Sequence, residues 1–407
     1  GTFLEVEKDL DRIKGLGVDI IWFLPIYPIG QEKRKGILGS PYAIADYRKV
    51  NPELGTMDDF KHLVEGIRTR GMRVMLDIVY NHTSPDSWLA KNHPEYFYKT
   101  PEGEMGNRVG DWGDIVDLDY GNKELWDYQI DTLKMWAGIV DGFRCDVAPL
   151  VSLAFWLKAR EEVARVNPEC IWLSESVEPE FIVDMRAKGM TNLSDSEIFQ
   201  AFDMCYDYDI FKYFRQYLNG EGTLGRYVEA VNMQEYIYPA NYVKMRYLEN
   251  HDQDRAKEII PKESALRNWT AFLYFQKGAT LLYAGQENQN ETRPDLFNKD
   301  VINLDGSRDI SDMLRQLYQI KELAVVAKSS YRLSADEGLG AAIGEHKEIQ
   351  GKGRLLGIFS FEGKCGQVEA GIQDGTYTNM VNGKEIRIED GKIDLKMCPV
   401  IIKENGE

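Results

Sequence analysis

The segment Gly142-Phe143-Arg144-Cys145-Asp146 ends an apolar run with an arginine two residues before an acid. Alternate residues of a strand share a face, so Gly142, Arg144 and Asp146 point the same way. A guanidinium that close keeps a carboxylate ionised. An ionised, oriented Asp at a strand end is what a covalent nucleophile requires. The competing reading is a structural Arg–Asp pair. Glu175 closes a second run, Ile171-Trp172-Leu173-Ser174. An apolar surround with carboxylates nearby raises a Glu pKa and keeps it protonated, as a general acid needs. In a third run, 243–249, the chain leads into Asn250, His251 and Asp252, a tight polar cluster that also reads as a turn with an Asn/Asp cap. A fourth, 73–80, carries Asp77 and leads into Asn81 and His82.

One ionised and one protonated carboxylate facing each other describe the cleavage of a glycosidic bond, and a separation of about 5 Å implies retention through a glycosyl-enzyme intermediate. Sugars stack on aromatic rings, and the chain holds 22 Tyr and 8 Trp; Tyr42 and Trp112 are the best candidates for ligand contact. Of five histidines, His82 and His251 sit at strand ends, without the HxH or HExxH spacing of a zinc site. Asn81-His82-Thr83 fits a glycosylation acceptor pattern, but a strand end within a core is a poor place for one.

These acids need a scaffold that brings strand ends together. The four runs read as parallel strands buried on both faces, separated by helical stretches: 3–16 with Phe3, Val6, Leu10, Ile13 and Leu16 on one face, then 57–70, 123–136, 152–165, 179–187, 208–219, 264–277 and 309–327. Two of the runs extend over 138–145 and 170–175, and further strands are expected at 19–26, 200–206 and 279–284. This order predicts a parallel α/β barrel with its chemistry at the C-terminal mouth. Seven strands are legible where a closed (β/α)8 TIM barrel has eight, so the first is expected upstream of Gly1. Residues 83–122, too long for an ordinary connection, form an insertion that shapes the substrate site. The barrel then comprises 1–82 and 123–330. From 331 to 407, short alternating strands with EGK, QDG, NGK and EDG turns predict an antiparallel β-sandwich.

A net charge of −17 over 407 residues argues against nucleic acid or an anionic membrane as a partner. Mean hydropathy is −0.41, and no apolar run is long enough to span a bilayer. Cys145, Cys170, Cys205, Cys365 and Cys398 lack CxxC spacing and read as free thiols. They favour a cytoplasmic location, or an extracellular one if a leading segment precedes Gly1.

Taken together, DIVYNH, GFRCD, LSE and ENHD resemble, in order and spacing, the four signature regions of the α-amylase glycoside hydrolase superfamily. PIYPIG and SPYAIADY are similar to its second-strand region and stacking tyrosine, IVDLDY to a motif of its inserted domain B, and LLYAGQE to its last barrel strand. The resemblance implies a retaining hydrolase of α-1,4-glucosidic bonds in starch-type glucans or malto-oligosaccharides. A glucanotransferase or α-glucosidase on the same scaffold is the alternative, and a catalytically inactive binding relative a lesser one. By matching position, Asp146 is the nucleophile, Glu175 the acid/base and Asp252 the transition-state stabiliser. Arg144, His82 and His251 orient substrate, Asp77 is the structural acid beside it, and Tyr42 the stacking platform. The chemistry then requires no cofactor. The resemblance leaves Ca2+ open, with Asn81 at the family's ligand position. Pro149 and Leu150 stand where many members carry Lys-His on the leaving-group side.

Overall fold

The computed structural model describes residues 1–110 and 112–404; the last three residues of the expected C-terminal domain lie outside them. The chain divides into two compact units. The first comprises 1–206 and 295–301, the second 207–294 and 302–407.

In the first unit the strands are β1 (Ile20–Phe23), β2 (Arg73–Ile78), β3 (His82–Thr83), β4 (Val116–Asp117), β5 (Gly142–Cys145), β6 (Ile171–Ser174) and β7 (Met204–Tyr206). β1, β2, β5, β6 and β7 lie side by side in that order. The pairings among them are parallel. The register sets Asp77 opposite Arg144 on the neighbouring strand, and Arg144 opposite Leu173 on the next. Helices return the chain between these strands. The helix Met57–Thr69 begins in a capping box between Thr56 and Asp59 and buries Phe60, Leu63, Val64 and Ile67, the 3.6-residue stripe that packs on a sheet. Trp136, Trp156 and Trp172 share the same core.

Several boundaries differ from the sequence reading. The first expected helix is two, Phe3–Glu7 and Leu10–Gly15. The break falls where Asp9 turns its carboxylate to Arg12 at 2.7 and 2.6 Å instead of continuing the apolar stripe. β1 stops at Phe23, shortly before Pro25, which has no N–H for a ladder. β5 starts only at Gly142, because 138–140 finish the preceding helix: the Gly138 and Val140 N–H groups donate to Lys134 and Trp136 carbonyls. The insertion, read as loop, is folded. β3 and β4 pair antiparallel, and the helix Trp88–Asn92 follows β3.

In the second unit, β8 (Lys244–Arg246) and β9 (Ala279–Thr280) pair in parallel. β9 is shorter than the expected 279–284. Among the helices here are Tyr208–Leu218, Leu224–Ile237, Glu263–Phe275 and Ser311–Lys321. The remaining strands are β10 (Ser329–Asp336), β11 (Ala341–Glu348), β12 (Arg354–Ser360), β13 (Gly366–Glu369), β14 (Gly375–Thr378), β15 (Glu385–Glu389), β16 (Lys392–Leu395) and β17 (Val400–Glu404). They form two four-stranded sheets, β10-β11-β12-β17 and β13-β16-β15-β14. Leu356, Ile358, Val368, Ile388, Ile393 and Ile402 join in one buried cluster, as the alternating pattern requires of a sandwich. Among the described residues no helix is long and apolar enough to cross a membrane.

Candidate active site

Arg144 is the hub of the first unit's polar cluster. It is fully buried in the middle of β5. Its Nη1 donates to Asp77 Oδ1 at 2.9 Å and to Asp146 Oδ1 at 3.0 Å. Its Nη2 lies 2.9 Å from Glu175 Oε1, an ion-pair contact. Its Nε donates to the Tyr206 hydroxyl at 3.1 Å. The rings of Trp22, Tyr206 and Tyr42 stand 5.2, 5.4 and 5.7 Å from the guanidinium carbon. One planar cation thus holds three carboxylates from β2 and from the ends of β5 and β6, the use to which arginine's rigid fork is suited. Burial pulls the Arg144 pKa down, but Asp77 and Glu175 outweigh it and hold it well above its ordinary value. The cation is permanent.

Each acid is fixed by its own backbone. The Asp146 N–H donates to the Ile78 carbonyl at 2.8 Å, and the Glu175 N–H to the Cys145 carbonyl at 3.0 Å, so both side chains leave the sheet one residue past their strand ends. Asp77 is fully buried; its Oδ2 accepts a second bond from Arg144 Nη1 at 3.1 Å and a third from the Tyr42 hydroxyl at 3.1 Å, while the Tyr27 hydroxyl donates to its carbonyl at 3.0 Å. Burial pushes its carboxyl up to about 7, against the pull of Arg144. The apolar surround expected of Glu175 is not what the structure shows. Its Oε2 accepts the Val147 N–H at 2.8 Å and its Oε1 faces Arg144, so the acid sits in a polar grip above apolar β6.

His82 is buried with Nε2 4.0 Å from Asp146 Oδ2. Burial lowers its pKa to about 4, with Asp117 and Asp114 opposing, so it is neutral at pH 7. Its Nδ1 accepts from the Asn81 amide at 3.2 Å, which leaves the proton on Nε2, the nitrogen that faces Asp146. Trp112 packs against this imidazole at 5.7 Å between ring centres. In the second unit, His251 is buried with Nε2 3.0 Å from Asp252 Oδ2, whose side chain is 40% exposed. The Asp252 N–H donates to Asn250 Oδ1 at 2.8 Å, so the Asn cap weighed from the sequence is present and presents an acid. Glu249 anchors this turn through Arg255 and the Ala256 N–H, both at 2.6 Å.

Of the residues singled out from sequence, Asp77, Tyr42, His82, Arg144, Asp146 and Glu175 meet in the first unit, and His251 and Asp252 meet in the second. Asn81 touches His82 and holds Leu118 through its carbonyl at 2.9 Å. Among the described residues no three His, Cys, Asp or Glu side chains are grouped to hold a metal ion. Tyr206 and Val147 escaped sequence reasoning. Tyr206 ends a legible strand and could have been found by the logic applied to the acids. Val147 had no sequence signal at all.

This arrangement is a parallel α/β sheet with acids gathered at its strand ends, the layout of an α/β-barrel protein. The family model described as "Alpha amylase, catalytic domain" matches residues 1–107 and 110–322. The model "Bacterial Alpha amylase C-terminal domain" matches 332–402. The chain belongs to the α-amylase family, whose fold is the (β/α)8 barrel with a C-terminal antiparallel β-domain. It is similar to the crystal structure of an alpha-amylase from Lactobacillus plantarum, at 46% identity and TM-score 0.96, over 99% of this chain and 95% of that one. The noncanonic maltogenic alpha-amylase AmyB from Thermotoga neapolitana follows at 34% and TM-score 0.87, over 100% of this chain and 94% of that one. Alpha-amylase MalA of Haloarcula japonica is 28% identical over 83% of this chain; the chain spans 47% of that relative's length.

Proposed function

We propose that the protein is a retaining glycoside hydrolase that cleaves α-1,4-glucosidic bonds in starch-type glucans or malto-oligosaccharides. The observation that carries this reading is the Arg144 guanidinium holding Asp146 and Glu175 on its two terminal nitrogens, at 3.0 and 2.9 Å. Two carboxylates splayed from one planar cation suit the short separation that retention needs. Asp146 attacks the anomeric carbon while Glu175 protonates the departing glycosidic oxygen. Glu175 then takes a proton from water, whose oxygen displaces Asp146 and restores the free acid. The family resemblance assigns Asp252 to the hydroxyls of the sugar being cleaved. His82 and His251 orient substrate, neutral His82 as a hydrogen-bond donor, and Tyr42 and Trp112 offer ring faces.

Asp77 does not reach substrate in this account. Fully buried, it aims Arg144. The chemistry routes through side chains alone, so chelation with EDTA is expected to leave turnover within about twofold; a loss restored specifically by Ca2+ contradicts that. Among the described residues the five cysteines form no disulfide; a cytoplasmic location is proposed, which cell fractionation tests. The substrate is tested with maltoheptaose. Hydrolysis gives only shorter chains, whereas a glucanotransferase also gives longer ones. Asp146→Asn and Glu175→Gln should each lose on the order of 10³-fold or more in turnover. Full activity in either variant refutes the roles given.

A further inference from the structure

The residue after the nucleophile has a backbone that valine almost never adopts. Val147 sits at φ 35°, ψ 42°, the left-handed region, where a β-branched side chain crowds its own backbone. Such a conformation persists only where the surroundings over-determine it. Here they do. The Leu150 N–H donates to the Val147 carbonyl at 2.9 Å, and the Leu193 N–H to the Pro149 carbonyl at 2.9 Å. The Trp156 indole N–H donates to the Ala148 carbonyl at 3.0 Å. The turn 147–150 is therefore pinned at three carbonyls, with Pro149 limiting the residues around it. What the strained geometry achieves is the aim of one peptide N–H: that of Val147, donated to Glu175 Oε2 at 2.8 Å.

We infer that Val147 is a positioning residue, whose left-handed backbone turns its N–H onto the acid/base carboxylate and, with Arg144, sets the orientation and proton affinity of Glu175. The inference rests on the role proposed for Glu175 and deepens it. Arg144 meets Oε1 and the Val147 N–H meets Oε2, so a donor on each oxygen fixes the plane of the carboxylate. A donor to the ionised form also lowers the pH at which the acid loses its proton. Because Glu175 must begin the cycle protonated, that ionisation sets the alkaline limb of the pH–rate profile. Arg144 and Asp77 act on this carboxylate, Asp146, Tyr206 and Tyr42 share the Arg144 cluster with it, and a change confined to the 147 peptide alters none of these.

The test replaces Val147 by its α-hydroxy analogue, which exchanges the N–H for an ester oxygen and keeps the side chain. The inference expects kcat on maltoheptaose to fall about tenfold with KM within about twofold, and the alkaline limb to move up by about one pH unit. Val147→Asn keeps the N–H and tolerates the left-handed region, and should leave the limb in its original position. Val147→Gly keeps the fold but frees the backbone, and should lower kcat more than it raises KM. A turn that is merely structural leaves the limb in place in all three, and that result overturns the inference. Glu175→Gln separates the two levels. Inactive Glu175→Gln beside an unmoved limb refutes the role of Val147 alone, whereas active Glu175→Gln refutes the acid/base assignment beneath it.

Discussion

Asp77 and His82 are both buried, and their titrations pull stability in opposite directions. Asp77 has its folded-state pKa raised from 3.8 to about 7. Between those values the folded chain binds the proton more tightly than the unfolded one, so this contribution is full below about pH 4 and is lost as pH rises to 7. His82 has its pKa lowered from 6.5 to about 4; the unfolded chain binds that proton better, so stability is lost as pH falls through the same range. Urea-unfolding midpoints between pH 4 and 7 check this. Asp77→Asn should remove the decline toward pH 7, and His82→Gln the decline toward pH 4. Removing the Tyr206 hydroxyl leaves the buried Arg144 Nε–H without that acceptor. Tyr206→Phe should therefore cost about 1–3 kcal/mol and lower kcat severalfold by loosening the arginine that aims both acids; unchanged stability and kcat would show that Arg144 does not depend on that bond. At this scale the sequence was informative where chemistry is written in residue type. The Arg–Asp spacing of GFRCD and the Glu ending β6 could be read directly. The strained turn could not, since nothing in a valine's side chain reports that its backbone is left-handed.

Secondary structure delivers these groups through register more than through length. The pairing of Asp77 with Arg144 across β2 and β5 is why a carboxylate and a guanidinium from distant segments meet, and a one-residue slip would turn both away. Gly142, at the start of β5, keeps that register tight. A Cβ there would stand 2.7 Å from the Ile171 carbonyl oxygen on β6 and 3.1 Å from Ile171 Cβ. Gly142→Ala must push β6 off β5, the two strands that bear Glu175 and Asp146. The expected outcome is a loss of about 1–3 kcal/mol with a fall in kcat larger than any rise in KM. Thermal unfolding and steady-state kinetics on the same preparation check it, and an unchanged kcat at reduced stability would detach this contact from the chemistry. Helix and strand identities were legible because buried parallel strands are continuous apolar runs and their helices carry 3.6-residue stripes. Their ends were not. Apolar residues such as Ile139 and Val140 continue the run of β5 in sequence, yet they belong to the turn closing the preceding helix.

For the molecule as a whole, the acidic character bears on the choice of partner. A surface with net charge −17 repels polyanions and is indifferent to neutral glucans, consistent with binding carried by hydroxyl contacts and ring faces rather than by long-range attraction. Glucan affinity should accordingly change little between low and moderate salt, which KM for soluble starch at two ionic strengths would reveal; a steep salt dependence would contradict it. The two-sheet C-terminal domain was legible from its turns and alternation. The folded insertion was not, because its short β3–β4 pair has too few residues to show a period. The central claim is that Asp146 forms the covalent bond. The most direct measurement traps the intermediate with a slow-reacting fluorinated α-glucosyl fluoride and maps the labelled peptide by mass spectrometry. The account predicts the sugar on the peptide bearing Asp146 and no labelling of Asp146→Asn. A sugar carried by any other residue, or turnover with inversion at the anomeric carbon, would contradict it.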